Sequence, residues 1–169
     1  MAVDELVSEQ ISAAQYLRMA FEHYPEFVDG RIVERGTPDW EHSCIQGFLL
    51  SELQPSCRKI GFFVVPEQTL QLHSEDFRIP DVCIVGEAPE GPFVTQARHL
   101  CVEILSSDDR VAEMFSKIRD YLHFGTEWGW VVNPLTCTGQ IHRQGGVTWV
   151  ENGQFFRDRF RVALSKCEF

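Results

Sequence analysis

The sequence predicts a mixed α/β fold in which a central sheet is flanked by helices and carries an antiparallel hairpin at each end. Short apolar runs at strand spacing occupy the middle of the chain, and segments with helical spacing lie before and between them. Asp-Gly, Gly-Gly and Asn-Gly pairs mark turns near the two ends. Strands that alternate with helices in this way are typical of α/β layers.

The first elements are predicted to be a helix and a hairpin. Residues 8–24 carry apolar side chains at helical spacing, which predicts an N-terminal helix that Pro25 ends. Residues 27–35 place an Asp-Gly pair between two short apolar strands, which is a strong hairpin signal.

A second helix and several strands follow. Thr37 and Pro38 supply an N-cap and a first-turn proline for a helix over residues 39–54. Residues 61–72 predict one or two strands, and residues 78–85 predict a strand opened by a proline.

The second half of the chain predicts one parallel crossover. After a polar loop at 87–96, residues 100–106 form a strand, residues 109–124 a helix that Gly125 stops, and residues 127–132 a further strand. Antiparallel strands then extend to about residue 164. We expect one domain over residues 1–169, with its core at 27–143 and a β extension at 144–169.

The composition indicates a globular protein and limits its partners. The chain is 44% hydrophobic and has a formal net charge of −10 at pH 7. It contains no apolar run long enough for a membrane span and starts with an acidic segment, so we expect a cytoplasmic protein with no membrane partner. The six cysteines form no C-x-x-C pair, which favours reduced thiols. The negative charge argues against a protein that coats nucleic acid through Lys and Arg.

One carboxylate lies in the middle of the most apolar strand. Residues 100–106 read LCVEILS, and both faces of this strand are apolar except at Glu103. A strand of this kind belongs inside a covered sheet. An ionised carboxylate there has to be paired, bound to a metal or neutralised, because a bare charge in the interior is strongly unfavourable.

A second carboxylate, Asp81, lies near the start of the apolar run FRIPDVCIV at residues 77–85. If the two strands are neighbours and the side chains share a face, the carboxylates of Asp81 and Glu103 lie within about 5 Å of each other. Two bare charges at that distance repel by roughly 3 kcal/mol at an effective dielectric constant near 20. A hard divalent cation, Mg²⁺ or Mn²⁺, would turn this repulsion into a binding site.

Six pieces of the sequence occur in an order and spacing that resemble one known family. They are RIPDV at 78–82, VEILS at 102–106, Lys117, Tyr121, Gly125 and WVVNP at 130–134. Together with Glu34 and His42, this set is similar to the Uma2 family of restriction endonuclease-like proteins, which belongs to the PD-(D/E)xK nuclease superfamily. The resemblance spans roughly residues 27–143.

The resemblance implies a restriction endonuclease-like core and a Mg²⁺-dependent endonuclease that acts on DNA. It implies that Asp81, Glu103 and the backbone carbonyl of Ile104 bind the metal, and that a lysine polarises the scissile phosphate or the attacking water. The superfamily has this lysine two residues after the glutamate, where the present chain has Leu105. In the family the lysine of the following helix takes that place, which indicates Lys117.

Superfamily nucleases often work as dimers to cut two strands, so a homodimer is a further expectation. The aromatic tail either supplies its interface or belongs to the core; it comprises Trp149, Phe155, Phe156 and Phe160.

Each catalytic candidate also has a purely structural explanation. Glu103 could be a buried acid paired with Arg78 or Arg119, and Asp81 could be a turn residue after proline. Lys117 follows Glu113 by four residues, the spacing of an exposed helix pair worth about 0.3–0.5 kcal/mol.

Three supporting candidates are open in the same way. Glu34 either extends the metal shell or ends the hairpin. His42 lies on the inward stripe of its helix and is either a ligand or a core histidine. Tyr121 follows Lys117 by one helical turn and either orients it or only packs.

Two other functions use the same features. A non-catalytic member that keeps the fold and binds nucleic acid or protein is supported by the acidity of the chain and by the missing lysine at position 105. A hydrolase of some other phosphoester would use the same two carboxylates.

Overall fold

The chain forms three sheets with helices packed against them. The computed structural model describes residues 10–96, 98–107, 109 and 111–167. The helices are α1 (Ala13–Tyr16), α2 (Trp40–Arg58) and α3 (Val111–His123), with a 3-10 helix at Leu164–Lys166. The strands are β1 (Glu26–Val28), β2 (Arg31–Val33), β3 (Phe63–Pro66), β4 (Leu70–His73), β5 (Asp76–Arg78), β6 (Val82–Val85), β7 (Leu100–Ile104), β8 (Trp128–Asn133), β9 (Thr138–Arg143), β10 (Gly146–Val150), β11 (Gln154–Arg157) and β12 (Phe160–Ala163).

The main sheet has six strands in the order β10-β9-β8-β7-β6-β3. Its neighbouring strands are antiparallel except β7 and β8, which are parallel and are joined through α3. This is the crossover that the sequence predicts. The mixed sheet with helices on both faces confirms the predicted fold class.

Alternation along the central strands supplies both layers of the core. Val82 and Val102 face α2, whereas Cys83 and Cys101 face α3. On the first face α2 buries one apolar stripe, Ile45, Leu49 and Leu53. On the second face α3 buries Met114, Ile118 and Tyr121. A strand that is apolar on both faces therefore occupies the covered centre of the sheet, as the period of β7 predicts.

A smaller sheet lies beside the main one, with strand order β2-β1-β5-β4. The hairpin between β1 and β2 turns at Asp29 and Gly30, whose φ angles are 51° and 77°. Two central residues with positive φ define the tight turn that an Asp-Gly pair favours. The predicted hairpin is therefore confirmed.

Within the described residues, the predicted helix over residues 8–24 is confirmed only at Ala13–Tyr16, because residues 10–12 and 17–24 are not helical. Residues 8 and 9 lie outside the described part of the chain, and the helix ends at Tyr16. The ring of Tyr24 lies 5.7 Å from the ring of Tyr16. On a continuous helix these residues would be about 12 Å apart along the axis. Aromatic packing against Tyr16 therefore replaces the helix after its first turn.

Further boundaries differ from the prediction, and α2 ends at Arg58 instead of residue 54. The side chain of Asp39, not Thr37, caps α2 by accepting a hydrogen bond from the amide of His42. The predicted strand over residues 78–85 is two strands in different sheets, β5 and β6, with Ile79, Pro80 and Asp81 between them. Proline cannot donate a ladder hydrogen bond, so the chain changes sheets where the proline stands.

The C-terminal strands pack on the α2 side of the main sheet. β10 extends that sheet, and β11 and β12 form a separate hairpin. Phe155 and Phe160 are buried in the core, Phe156 is partly buried against it, and Trp149 is 72% exposed. Most of the aromatic tail thus belongs to the core and only Trp149 is available at the surface.

The six cysteines are free thiols, as expected. None of the helices in the described part of the chain combines the length and the hydropathy that crossing a bilayer requires.

Gly139 is predicted to be the glycine of β9 that tolerates no side chain. A Cβ atom at this position would lie 2.0 Å from the carbonyl oxygen of Val131 on the neighbouring strand and 2.8 Å from the Phe155 ring. Because backbone cannot move aside cheaply, Gly139→Ala should lower the free energy of unfolding in urea by about 1–3 kcal/mol.

Gly146→Ala on β10 is the matched control, since no atom lies within 4 Å of the position that its new methyl group would take. We expect this variant to stay within about 0.5 kcal/mol of the wild type. Equal stability of the two variants would contradict the packing argument.

Candidate active site

Asp81, just before β6, and Glu103, near the end of β7, lie at one end of two interior strands of the main sheet. These strands are antiparallel, with Val82 opposite Val102. The next residues toward this end of the strands are Asp81 and Glu103, which therefore oppose each other where the hydrogen-bond ladder ends. Opposed residues share a face of the sheet and have Cβ atoms about 4.5–5.5 Å apart. Both side chains line the same cavity.

Asp81 is held in a fixed orientation. Its Oδ2 atom accepts a hydrogen bond of 2.7 Å from the backbone N–H of Ile104 and lies 3.2 Å from Nε2 of His42. Its Oδ1 atom lies 3.6 Å from the Arg35 guanidinium. Burial acts to raise the pKa of Asp81, but the hydrogen bond and positive charge of His42, together with Lys117, lower it below its ordinary value.

The neighbouring His42 lies on the inward side of α2, as its spacing predicts, and contacts the carboxylate of Asp81. Burial alone would lower the pKa of His42, yet the hydrogen bond and charge of Asp81, with the charges of Asp39 and Asp109, raise it above its ordinary value. His42 is thus a partner of a candidate metal ligand, a role that differs from both a direct ligand and a core histidine.

Glu103 is buried on the α3 face of the sheet. Its Oε2 atom accepts a hydrogen bond of 2.8 Å from Nζ of Lys117, and its Oε1 atom accepts one of 2.5 Å from the hydroxyl of Tyr121. Burial, with the negative charges of Asp81 and Glu26, raises the pKa of Glu103 to about 7 although Lys117 acts in the opposite direction. The main cause of this raised pKa is the loss of hydration on burial.

Lys117 and Tyr121 are both buried on α3, one turn apart. Neither the Arg78 nor the Arg119 pairing considered for Glu103 occurs: Arg78 binds Glu26 and Asp120, and exposed Arg119 contacts Ser116. Lys117 is likewise not an exposed partner of a helical acid, because its ammonium lies between Glu103 and Glu26 at 2.8 and 3.1 Å. The Tyr121 hydroxyl donates to the Glu103 carboxylate, whereas the sequence left open whether Tyr121 orients the lysine or only packs.

Glu26 and Arg78 are site residues that the sequence analysis missed. Glu26 is only 2% exposed on β1, and it binds the guanidinium of Arg78, the backbone N–H of Ile79 and the ammonium of Lys117. The alternation of side chains along a strand could have indicated Glu26, because Phe27 faces the core of the small sheet and its neighbour Glu26 must face the other side. An acid beside a hairpin turn is, however, usually solvated.

The cavity has a volume of about 270 Å³ and an acidic lining. Six of its lining residues are acids: Glu26, Glu34, Asp81, Glu103, Asp109 and Glu113. Three carry a permanent positive charge: Arg35, Arg78 and Lys117. Exposed Glu34 stands where this cavity meets a second one of about 660 Å³, which Asp81 and His42 also line.

The oxygen donors at this end of β6 and β7 fit a divalent cation in part. Within the described ranges, no group of three or more His, Cys, Asp or Glu side chains has the spacing to hold a metal ion. Asp81 and Glu103 nevertheless offer carboxylate oxygens beside Ile104, in a cavity whose lining holds more acids than permanent cations. Oxygen donors from one or two carboxylates, completed by water and substrate, suit Mg²⁺.

A mixed sheet that ends in two opposed carboxylates with a buried lysine beside them defines a restriction endonuclease-like class of protein. The profile of the Uma2 family, described as "Putative restriction endonuclease", matches residues 13–163 of the 169-residue chain. The chain belongs to this family, so the resemblance found in the sequence is confirmed.

A solved structure shares the fold. A crystal structure described as "a putative nuclease belonging to DUF820", from Anabaena variabilis, superposes with a TM-score of 0.83 over 93% of this chain and 97% of that chain. The two sequences are 18% identical, so the likeness shows the fold alone. No curated protein matches the chain in sequence.

Tyr121→Phe should destabilise the protein because it leaves Oε1 of buried Glu103 without its donor. Removing one partner of a buried polar group costs about 1–3 kcal/mol, which urea unfolding would detect. Tyr24→Phe is the control, since Tyr24 is 41% exposed, and it should change the free energy of unfolding by less than about 0.5 kcal/mol. Similar values for the two variants would show that the Tyr121 hydroxyl does not support Glu103.

Proposed function

We propose that this protein is a Mg²⁺-dependent endonuclease that hydrolyses phosphodiester bonds in DNA. The observation that carries the proposal is the convergence of Asp81, Glu103 and Lys117 on one cavity at the end of two interior strands of the main sheet. Family membership supports a nuclease, and families with this fold generally use divalent metals. The individual residue roles rest on the geometry of the site.

Asp81 and Glu103, with the backbone carbonyl of Ile104, are the ligands that we propose for Mg²⁺. Asp81 is suited to this role because His42 and the amide of Ile104 hold one of its oxygens, which leaves Oδ1 with only a 3.6 Å contact to Arg35. Bound Mg²⁺ supplies a water of lowered pKa and offsets charge on the phosphate. Tyr121 keeps the Glu103 carboxylate directed at the cavity.

Lys117 is the cation that we propose in place of the lysine missing at position 105. Its ammonium lies 2.8 Å from Glu103. It would therefore lie close to a scissile phosphate that approaches the metal ligands. A positive charge fixed in a buried site stabilises the charge that develops on phosphate oxygens in the transition state. We propose that Lys117 performs this role.

DNA as the substrate has to be reconciled with a net charge of −10. The cavity itself carries six acids and three permanent cations, so an approaching phosphate would be repelled without added positive charge. Bound Mg²⁺ supplies that charge locally. One chain contributes one pair of opposed carboxylates among its described residues, so we propose that a homodimer cuts both strands.

Metal binding is expected to raise the thermal stability of the wild type. At a Mg²⁺ concentration ten times the Kd, mass action contributes about 1.4 kcal/mol. For a chain of this size the melting temperature should rise by roughly 3–6 °C. Asp81→Asn should lose the shift, whereas Glu151→Gln, which changes an exposed acid far along the chain, should keep it.

Cleavage of supercoiled DNA in the presence of Mg²⁺ tests the catalytic roles. Asp81→Asn should abolish nicking, and Lys117→Met should lower the rate by about 10²–10³-fold, the usual loss when one preorganised charge is removed. Lys59→Met, at the exposed C-cap of α2, is the control and should cleave like the wild type. Mg²⁺-dependent nicking that survives in a clean Asp81→Asn preparation would exclude this assignment.

A non-catalytic protein that keeps the fold is the second candidate. It is favoured by one observation: both oxygens of Glu103 already have partners within the chain, Lys117 and Tyr121. In that case the ion pair serves stability alone. An unchanged melting temperature at millimolar Mg²⁺ and Mn²⁺, together with no nicking, would favour this candidate.

A further inference from the structure

Glu26 is the most completely buried acid of the small sheet, and it faces the active-site cavity. It is 2% exposed on β1, and its neighbour Phe27 points the opposite way into the aromatic cluster of that sheet. Oε1 of Glu26 accepts a hydrogen bond of 2.9 Å from the backbone N–H of Ile79, and Oε2 accepts one of 2.9 Å from Arg78. The carboxylate is therefore fixed by the strand that precedes Asp81.

The ammonium of Lys117 lies between two carboxylates from different sheets. It is 2.8 Å from Oε2 of Glu103 on the main sheet and 3.1 Å from Oε1 of Glu26 on the small sheet. Under the proposed function, Glu103 shares its charge with Mg²⁺, which also repels a neighbouring ammonium. Glu26 is then the anion that remains to hold Lys117 in the cavity.

We infer that Glu26 is a positioning residue that anchors the Lys117 ammonium beside the scissile phosphate while Glu103 binds the metal. The inference rests on the proposed function and assigns a role to a residue outside the acidic pair. It does not make Glu26 a metal ligand, in line with the lack of a three-member ligand group among the described residues.

Arg78 also joins Glu26 to α3, through a carboxylate that does not contact Lys117. Arg78, which binds Glu26, also donates a hydrogen bond of 2.6 Å to Asp120, one turn after Lys117 on the same helix. The charges of successive side chains therefore alternate between negative and positive from the surface of α3 to the main sheet, in the order Asp120, Arg78, Glu26, Lys117 and Glu103. A small misplacement of a catalytic group can lower the rate on the order of 100-fold, so losing the Glu26 carboxylate, which contacts Lys117 directly, should have a measurable consequence.

Glu26→Gln and Asp120→Asn form the matched pair that tests the inference. Both remove one carboxylate partner of Arg78, but only Glu26 contacts Lys117. In Mg²⁺-dependent cleavage, Glu26→Gln should lower kcat on the order of 100-fold with little change in KM. Asp120→Asn should change kcat by less than about threefold, because it leaves the lysine in place.

Two further measurements separate anchoring from other roles. The Mg²⁺-induced rise in melting temperature should persist in Glu26→Gln, since the metal ligands are unchanged. In single-turnover reactions, Glu26→Gln should cause no additional loss in a Lys117→Met background, because a residue that acts through the lysine has nothing left to position. If Glu26→Gln does not fold, Glu26→Asp, which keeps the charge but shortens the side chain, replaces it: it should lower kcat in the wild-type background and cause no further loss in Lys117→Met.

The outcomes distinguish the inference from the proposal beneath it. If the wild type cleaves DNA and Glu26→Gln and Asp120→Asn lower kcat equally, the anchoring role alone is overturned. Rate losses of Glu26→Gln and Lys117→Met that add in the double variant would also overturn it. Loss of the Mg²⁺-induced thermal shift in Glu26→Gln would place Glu26 in the metal shell and also overturn it. A wild type that neither responds to Mg²⁺ nor cleaves DNA would overturn the nuclease proposal itself.

Discussion

The burial of Glu103 in the centre of a covered sheet is the constraint on which the rest of the site depends. A carboxylate in this position loses its hydration, and only close partners compensate for that loss. The two partners, Lys117 and Tyr121, both come from α3. The helix therefore has to cross this face of the sheet in one register, with Ile118 packed close over Gly129 between the two polar residues.

The same requirement ties the small sheet to the main one. Lys117 is itself buried and has a second carboxylate beside it, Glu26, whose charge is shared by Arg78. Each buried charge is thus paired with a neighbouring charge of opposite sign, and the series of ion pairs ends at the partly exposed Asp120. The N-terminal hairpin is consequently part of the site and not an appendage to it. Burial raises the pKa of Glu103 to about 7 even though the Lys117 ammonium lies beside it.

Local pattern was sufficient for much of this architecture. The period of two in β7 predicted a strand covered on both sides and singled out Glu103, because a charge in an apolar run is visible without coordinates. The Asp29 and Gly30 pair predicted the hairpin because positive φ angles at both positions are restricted to few residue types. Spacing failed for the segment 17–24, where the apolar residues pack around Tyr16 in a compact turn. Apolar periodicity records which residues are buried, and a folded-back segment can bury the same residues as a helix.

The sequence by itself determined the fold class and the family, since the hydrophobic period and the order and spacing of motifs are properties of the chain alone. It also singled out Asp81 and Glu103 as acids in apolar runs, and strand pairing then placed them opposite each other. Tertiary structure decided which charges meet. Arg78 was available to pair with Glu103 but binds Glu26, which lies 52 residues away along the chain, and Lys117 contacts two sheets at once. An ion pair depends on distances of a few ångströms between side chains brought together only by folding, and its strength depends on burial, which local sequence does not specify.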